Sequence, residues 1–275
     1  DLYNEEAISK GVRVIPSCGY DSLPSDIGTF FAVNQMNKSV KKVEVFHSAS
    51  GGASGGTIES IFLMGKLPKE MRDPFLLNPQ ESVSDFQRKK SADSLSIKWI
   101  EEAQKWSGLG LFSVANTRVV RRSAALMEMN QKSYGNNFVF KEYGAYASKN
   151  SARIASIGLI LGFLIISSPL KWLVRRFLPK PGEGPSVEVQ NNGWFKGVFV
   201  AEAEDGEKQV STIYGDGDPG YKSTSKMLCV SALTIALSDN LPGGENFGGI
   251  LTPATGLGIP LIERLKKADI KFEVV

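Results

Sequence analysis

The chain has 275 residues, with 32 Lys and Arg against 29 Asp and Glu and a single histidine, so its formal charge is +3 at pH 7. So small a charge gives no sign of a nucleic-acid binder, and 42% hydrophobic with 22% charged residues excludes wholesale disorder. Two cysteines, Cys18 and Cys229, exclude a disulfide framework, and His47 alone excludes a histidine-rich metal centre.

Residues 1–10 read as the second half of an amphipathic helix, stopped by Gly11. A helix met in mid-stride implies that the chain continues upstream. No basic-then-apolar pattern of signal-peptide type stands in residues 1–10. Residues 12–17 are short and β-branched, a strand candidate. Residues 18–24 then turn the chain into a helix running to about Met36, with Asp21 or Ser22 as N-cap and Pro24 in the first turn. Helix, glycine stop, strand, tight turn, helix is the rhythm of a parallel α/β sheet of Rossmann type, here its terminal strand and helix.

A second strand over 40–48 leads into the glycine-rich run 50–56 and a helix from about Thr57. Residues 65–115 read as a long excursion with short helices. Residues 116–122 are β-branched and predict a short strand, followed by a helix capped by Ser123. The aromatic run 137–147 predicts another strand, on which Tyr143 and Tyr146 face opposite ways.

Residues 154–170 are 17 without a charge, bracketed by Lys149 and Arg153 before and Lys171, Arg175, Arg176 and Lys180 after. As a helix they span about 25 Å, short of the roughly 30 Å hydrocarbon core of a bilayer. Three readings compete: a core helix, a spanning helix, and an insert dipping into one leaflet. The basic, aromatic tail 171–177 favours the insert, so 154–178 is expected to meet a membrane or lipid-droplet surface. Residues 179–185 form a linker. Segments 194–204 and 208–214 flank Asp205-Gly206 and predict a hairpin. A helix over 223–237, a helix over 257–267 and a strand over 270–275 close the chain.

Gly215-Asp-Gly217-Asp-Pro-Gly220 is a literal G-x-G-x-x-G, with Asp239 about 20 residues on. It is rejected as a dinucleotide site. Its strand belongs to an antiparallel hairpin, Asp216 and Asp218 put carboxylates where a pyrophosphate sits, and Pro219 removes a backbone donor.

The run 11–28, with Gly55-Gly-Thr-Ile-Glu-Ser60, Val119-Val-Arg-Arg-Ser123, Asp218-Pro-Gly-Tyr221, Gly248-Gly-Ile-Leu-Thr-Pro-Ala254 and Leu261-Ile-Glu-Arg-Leu265, resembles the saccharopine dehydrogenase-like oxidoreductases, related to bacterial trans-acting enoyl reductases. The resemblance runs end to end. It implies an N-terminal Rossmann domain binding NAD or NADP, then a mixed α/β substrate domain with an apolar helical insert. The fingerprint glycines of such a domain belong upstream of Gly11, so a nucleotide-binding domain of roughly 100–150 residues is expected ahead of Asp1. On that division residues 1–38 are the end of the nucleotide domain, 39–148 and 186–275 the two parts of the substrate domain, and 149–185 the membrane segment and linker. The resemblance also implies association with lipid droplets, membranes or mitochondria, and a small-molecule, lipid-linked substrate. A homo-oligomer is compatible with it.

The turn 18–24 is the first candidate site, at a strand's carboxyl end and a helix N-terminus. Asp21 and Ser22 are candidate catalytic groups, with Gly19 and Tyr20 beside the nicotinamide; the alternative is that Asp21 only caps the helix. Gly52, Gly55, Gly56 and Thr57 are candidate substrate contacts, because glycines before a helix let backbone N–H groups approach a ligand; the alternative is a plain turn. Arg121, paired with Arg122, can hold a carboxylate or phosphate, against simple surface solvation. His47 reads as a core or strand-end histidine and Cys18 as a small buried residue. Two functions stay open: an NAD(P)-dependent oxidoreductase of lipid or glycolipid metabolism, or a non-catalytic membrane or lipid-droplet protein retaining the fold.

Overall fold

The computed structural model describes residues 2–52, 54–64, 73–79, 82–169 and 171–275. The chain runs through α1 (Asn4–Ser9), β1 (Arg13–Val14), α2 (Leu23–Met36), β2 (Val40–Ser50), α3 (Gly55–Met64), α4 (Asp85–Lys90), β3 (Trp99–Ile100), β4 (Lys105–Gly108), α5 (Ser113–Met129) and β5 (Val139–Tyr146). It continues through α6 (Lys149–Ile166), α7 (Lys171–Arg175), α8 (Val187–Asn192), β6 (Trp194–Ala203), β7 (Lys208–Asp216) and a π-helical turn (Pro219–Ser223). It ends with α9 (Thr224–Leu237), β8 (Gly249–Ile250), α10 (Pro253–Gly256), α11 (Gly258–Lys267) and β9 (Ile270–Val274).

Seven strands make one mixed sheet in the order β3-β4-β5-β2-β6-β7-β9. β2 and β5 run parallel, and the other neighbours run antiparallel. The class is α/β, as expected. The hairpin β6–β7 turns at Asp205-Gly206, where Gly206 takes the positive φ of 88° that such a turn favours.

From Lys42 to His47 the long β2 alternates, after an irregularity between Val40 and Lys42. Val43, Val45 and His47 face the helices, while Lys42, Glu44 and Phe46 face the other way. On the helix side, Leu23, Ile27 and Phe31 of α2, Val120 and Ala124 of α5, and Leu261 and Leu265 of α11 pack against Val43, Val45, Phe140, Phe199 and Ile213. Each such large side chain contributes about 1.5–3 kcal/mol on burial. α2 lies close over β6 because Gly28 has no side chain: a Cβ there would stand 2.2 Å from Cζ of Phe199. The opposite face carries a small stack of Phe46 on Tyr143 and exposed ion pairs of Lys42 and Lys98 with Glu44.

Several sequence expectations are corrected. The strand over 12–17 is reduced to two residues, because Ser17 has φ of 64° and Pro16 lacks a donor. β1 pairs in parallel with β8 from the far end of the chain, not with the large sheet, and the helix after it packs on the large sheet. Residues 116–122 are helical within α5, since burial of Val119, Val120 and Ala124 against the sheet outweighs local β propensity. Ser123 therefore sits in mid-helix. The excursion contains a capping-boxed helix, α4, and the strands β3 and β4; its residues 65–72, 80 and 81 lie outside the described residues, as do Asp1, Ala53 and Leu170.

The apolar stretch forms α6, started by a Ser148–Ser151 capping box. Its core-helix reading is corrected: only Ala152 and Ser156 are buried, docked on β4 where Ser156 Oγ accepts from Leu109 N at 2.9 Å. Beyond that point Ile157, Leu161 and Leu164 are exposed, and Trp172 and Phe177 follow them at 64% and 85% exposure.

Candidate active site

Four elements converge beneath the turn 18–22. α2 brings Ser22 and Ser25, β2 brings His47, α5 brings Asn116, and β5 brings Glu142. Ser22 occupies the N-cap position of α2, yet its hydroxyl caps nothing and instead donates inward to Asn116 Oδ1 at 3.2 Å. Asn116 Nδ2 donates to Glu142 Oε1 at 2.8 Å and to Ser25 Oγ at 3.2 Å. Ser25 Oγ meets His47 Nε2 at 2.9 Å. His47 Nε2 stands 3.7 Å from Glu142 Oε2.

The electrostatics follow from burial. Loss of water pushes the Glu142 carboxyl up to about 7, against the neighbouring Ser25 hydroxyl and the Asn116 amide, which favour its charge. The same desolvation holds His47 down to about 4, so the imidazole is neutral at pH 7. Tyr20 lies over this cluster, edge-on to Phe112 and Phe195, and burial together with the charge of Glu142 drives its phenol upward. With Glu142 raised and His47 lowered, the proton of the pair rests on the carboxyl, and an acid so displaced can hold and give up a proton near neutrality.

A second buried carboxyl, Asp26, is one turn further along α2. It accepts from Ser123 Oγ and from Ala254 N, the latter at 2.8 Å, so it ties α2 to α5 and α10. Burial raises it to about 7 as well.

The turn's own residues are placed as follows. Gly19 leaves room for no side chain, since a Cβ would meet Asp21 and Thr224 at 3.1 and 3.3 Å. Tyr20 N donates to Thr224 Oγ1 at 3.2 Å, and the Ser22 and Leu23 amides close on Gly19 O. Asp21 is exposed, and the N-cap position expected for Asp21 or Ser22 falls to Ser22, with the correction that its side chain makes no capping bond. Cys18 is buried with its thiol on Ile15 O, and burial pushes that thiol up.

The glycine-rich loop packs against other backbone. A Cβ at Gly52 would stand 2.5 Å from Pro185, and one at Gly55 would stand 1.7 Å from Lys180 O. A Cβ at Gly56 would meet only Ser54 Oγ, at an ordinary 3.7 Å, and Thr57 shares a hydrogen bond with Ser54 at the start of α3. The π-helical turn joins the two candidate segments: Gly51 packs on Asp218 and Pro219, and Thr224, just after the turn, holds Tyr20. Such turns recur at functional sites.

Arg121 is buried, not solvated. It bonds Pro74 O at 2.9 Å, Ser91 O, and Asp93 Oδ1 at 3.0 Å, and stacks over Phe75. A substrate anion would have to displace these bonds. Arg122 bonds Leu77 O and Ile250 O.

The 215–220 segment does not fit a dinucleotide. Asp218 accepts from the Tyr221 and Lys222 amides at 3.1 and 3.0 Å, so a carboxylate already occupies the anion position. The strand before it is antiparallel to β6. Among the described residues no group of His, Cys, Asp and Glu could hold a metal ion.

Sequence reasoning passed over His47, Glu142, Ser25 and Asn116. The available signal was alternation: His47 continues the core-facing row Val43, Val45, and Glu142 follows Phe140 on the same face.

No model of a known protein family matches the chain. It is similar to a Mycobacterium tuberculosis protein provisionally named a trans-acting enoyl reductase, 29% identical across 99% of this chain and 70% of that protein. It is also similar to proteins named trans-acting enoyl reductase from Mycobacterium leprae and Mycobacterium ulcerans, each 28% identical across 98% of this chain and 69% of theirs.

Proposed function

We propose that this chain is the substrate-handling part of an NAD(P)H-dependent oxidoreductase that reduces a conjugated C=C bond in a hydrophobic, lipid-linked acyl substrate. The observation that carries the reading is the buried Glu142–His47–Ser25–Asn116 cluster under a strand-to-helix turn. The names of the mycobacterial relatives support the reaction class. The wider likeness to saccharopine dehydrogenase-like proteins belongs to the same reading.

Reduction of C=C needs a hydride at one carbon and a proton at the other. A reduced nicotinamide supplies the hydride when bound. The 215–220 turn is closed by its own carboxylate and is not the nucleotide site, and Gly19 and Tyr20 stand at the nicotinamide's reactive end. Asp21 and Ser22 border the reacting carbons, and Gly56 and Thr57 at the start of α3 border the acyl group. NADPH oxidation by the full-length protein with an α,β-unsaturated acyl thioester tests this. Turnover, with loss of it in Asp21→Asn at unchanged stability, supports the reading. Absence of both NADPH binding and turnover favours a non-catalytic protein that keeps the fold.

A second reading concerns where the protein works. Helix α6 has the apolar composition of a membrane helix, and only 11% of it is buried. Lys149 and Arg153 precede its apolar run in the sequence and Lys171 and Arg176 follow it, a composition suited to an anionic lipid surface. We take residues 154–178 as a segment dipping into one leaflet or into a lipid-droplet surface.

A further inference from the structure

We propose that Glu142 and His47, bridged by Ser25, store the proton that the reduction consumes and release it toward the turn at Gly19–Ser22. This rests on the reductase reading above. Comparison of the two buried carboxyls carries it. Asp26 has both oxygens hydrogen-bonded, one to a hydroxyl and one to a backbone amide, and so acts as a tie between helices. Glu142 is as deeply buried, but only Oε1 is bonded. Its Oε2 accepts no hydrogen bond and instead faces His47 Nε2, while His47 Nδ1 has no partner either. A purely structural network in an interior satisfies its members, because each unpaired polar atom costs free energy. Here two members from different strands are left half-satisfied and facing each other.

The bonding pattern fixes who holds the proton. Asn116 donates to Ser25 Oγ, which leaves the Ser25 hydroxyl hydrogen for His47 Nε2, and a neutral imidazole accepts it. Asn116 also donates to Glu142 Oε1, which leaves Oε2 to carry the acid proton. In the reduction the Glu142 O–H bond breaks and Glu142 is left as carboxylate, while its proton, relayed through the turn above, completes the C–H bond at the substrate carbon next to its carbonyl. The hydride and its electron pair come from the reduced nicotinamide, which leaves oxidised. A proton from solvent then restores the Glu142 O–H bond. The charged and titratable groups facing the pair are Tyr20 from the turn and Arg121 from α5. Asp26 on α2 is turned to Ser123 and Thr252 instead. Glu142, His47 and Ser25 thus act as proton-holding, positioning residues.

His47 is the one histidine among these 275 residues, and its imidazole NMR signal is assigned by its loss in His47→Gln. In the full-length protein that signal stays neutral at pH 7 and shifts in Glu142→Gln. An infrared carboxylic-acid band titrates near 7, is lost in Glu142→Gln, and is distinguished from Asp26 by an Asp26→Asn control. With NADPH and an α,β-unsaturated acyl thioester, Glu142→Gln lowers kcat about a hundredfold with KM changed less than twofold. Ser25→Ala, which keeps both titrating groups, lowers kcat and shifts the alkaline limb of the pH profile. Glu142 ionised at pH 6, or a Glu142→Gln enzyme with full kcat and an unchanged pH profile, overturns the proposal. Titrations as expected in a wild-type protein without turnover overturn the reductase reading and with it the delivery step, leaving a proton-sharing pair.

Discussion

Single atoms decide much of this molecule. Gly28 is the closest approach between α2 and the sheet, and Gly28→Ala drives a methyl group into the Phe199 ring. A loss of about 1–3 kcal/mol, read from the urea midpoint, is expected, because the facing ring is itself packed and cannot retreat. Asp218 closes the amides of the π-helical turn, and Asp218→Ala removes a cap of about 0.5–2 kcal/mol. That substitution also loosens the join between Gly51 and Tyr20, so proteolysis near 18–22 and 50–56 rises together. At this scale the sequence was legible where chemistry is local. The carboxylates that spoil the 215–220 glycine pattern are visible in the letters themselves. Ser22 was located correctly but given a local partner, when its real one, Asn116, lies 94 residues away.

Among the elements, α6 and α5 form an instructive pair. The apolar face of α6 was legible from composition, since no run of surface residues needs so many leucines and isoleucines. Which of its residues dock was not, because Ser156 and Ala152 are chosen by the position of β4. Ile157, Leu161 and Leu164 lie past the docked turns, and replacing all three with serine is expected to abolish flotation with anionic vesicles while leaving the thermal midpoint within a few degrees. Flotation that survives the triple replacement removes the membrane reading. In α5 the local pattern misled. Asn-Thr-Arg-Val-Val favours a strand, but the helix buries Val119 and Val120 and places Asn116 under the turn. Local propensity differences of about 1 kcal/mol are smaller than the burial of two such side chains.

For the whole molecule, three buried groups shape the response to pH. Asp26 and Glu142 are raised to about 7 from ordinary values of 3.8 and 4.5, so the folded chain keeps protons that the unfolded chain has released. Their contribution is full below those ordinary values and is lost as pH rises through about 7. His47 runs the other way: lowered from 6.5 to about 4, it contributes fully above 6.5 and loses that contribution as pH falls through 4. Between 4.5 and 6.5 the two carboxyls outweigh the one imidazole, and their part of the stability falls as pH rises. Glu142→Gln removes one of them, so the urea midpoint of the variant minus that of wild type climbs across this range. A flat difference means that Glu142 titrates alike in folded and unfolded chains.

The sequence by itself determined the α/β class, the hairpin at Asp205-Gly206, the unfitness of the 215–220 glycines for phosphate, and an apolar helix edged with cations. These rest on period, turn chemistry and charge, which act over a few residues. Only the tertiary structure decided that β1 pairs with β8, that Arg121 serves the 74–93 segment, and that His47 and Glu142 meet. Those outcomes depend on strands distant in the chain being laid side by side. A polar residue in a core-facing row carries no mark of its partner until the sheet has chosen its order.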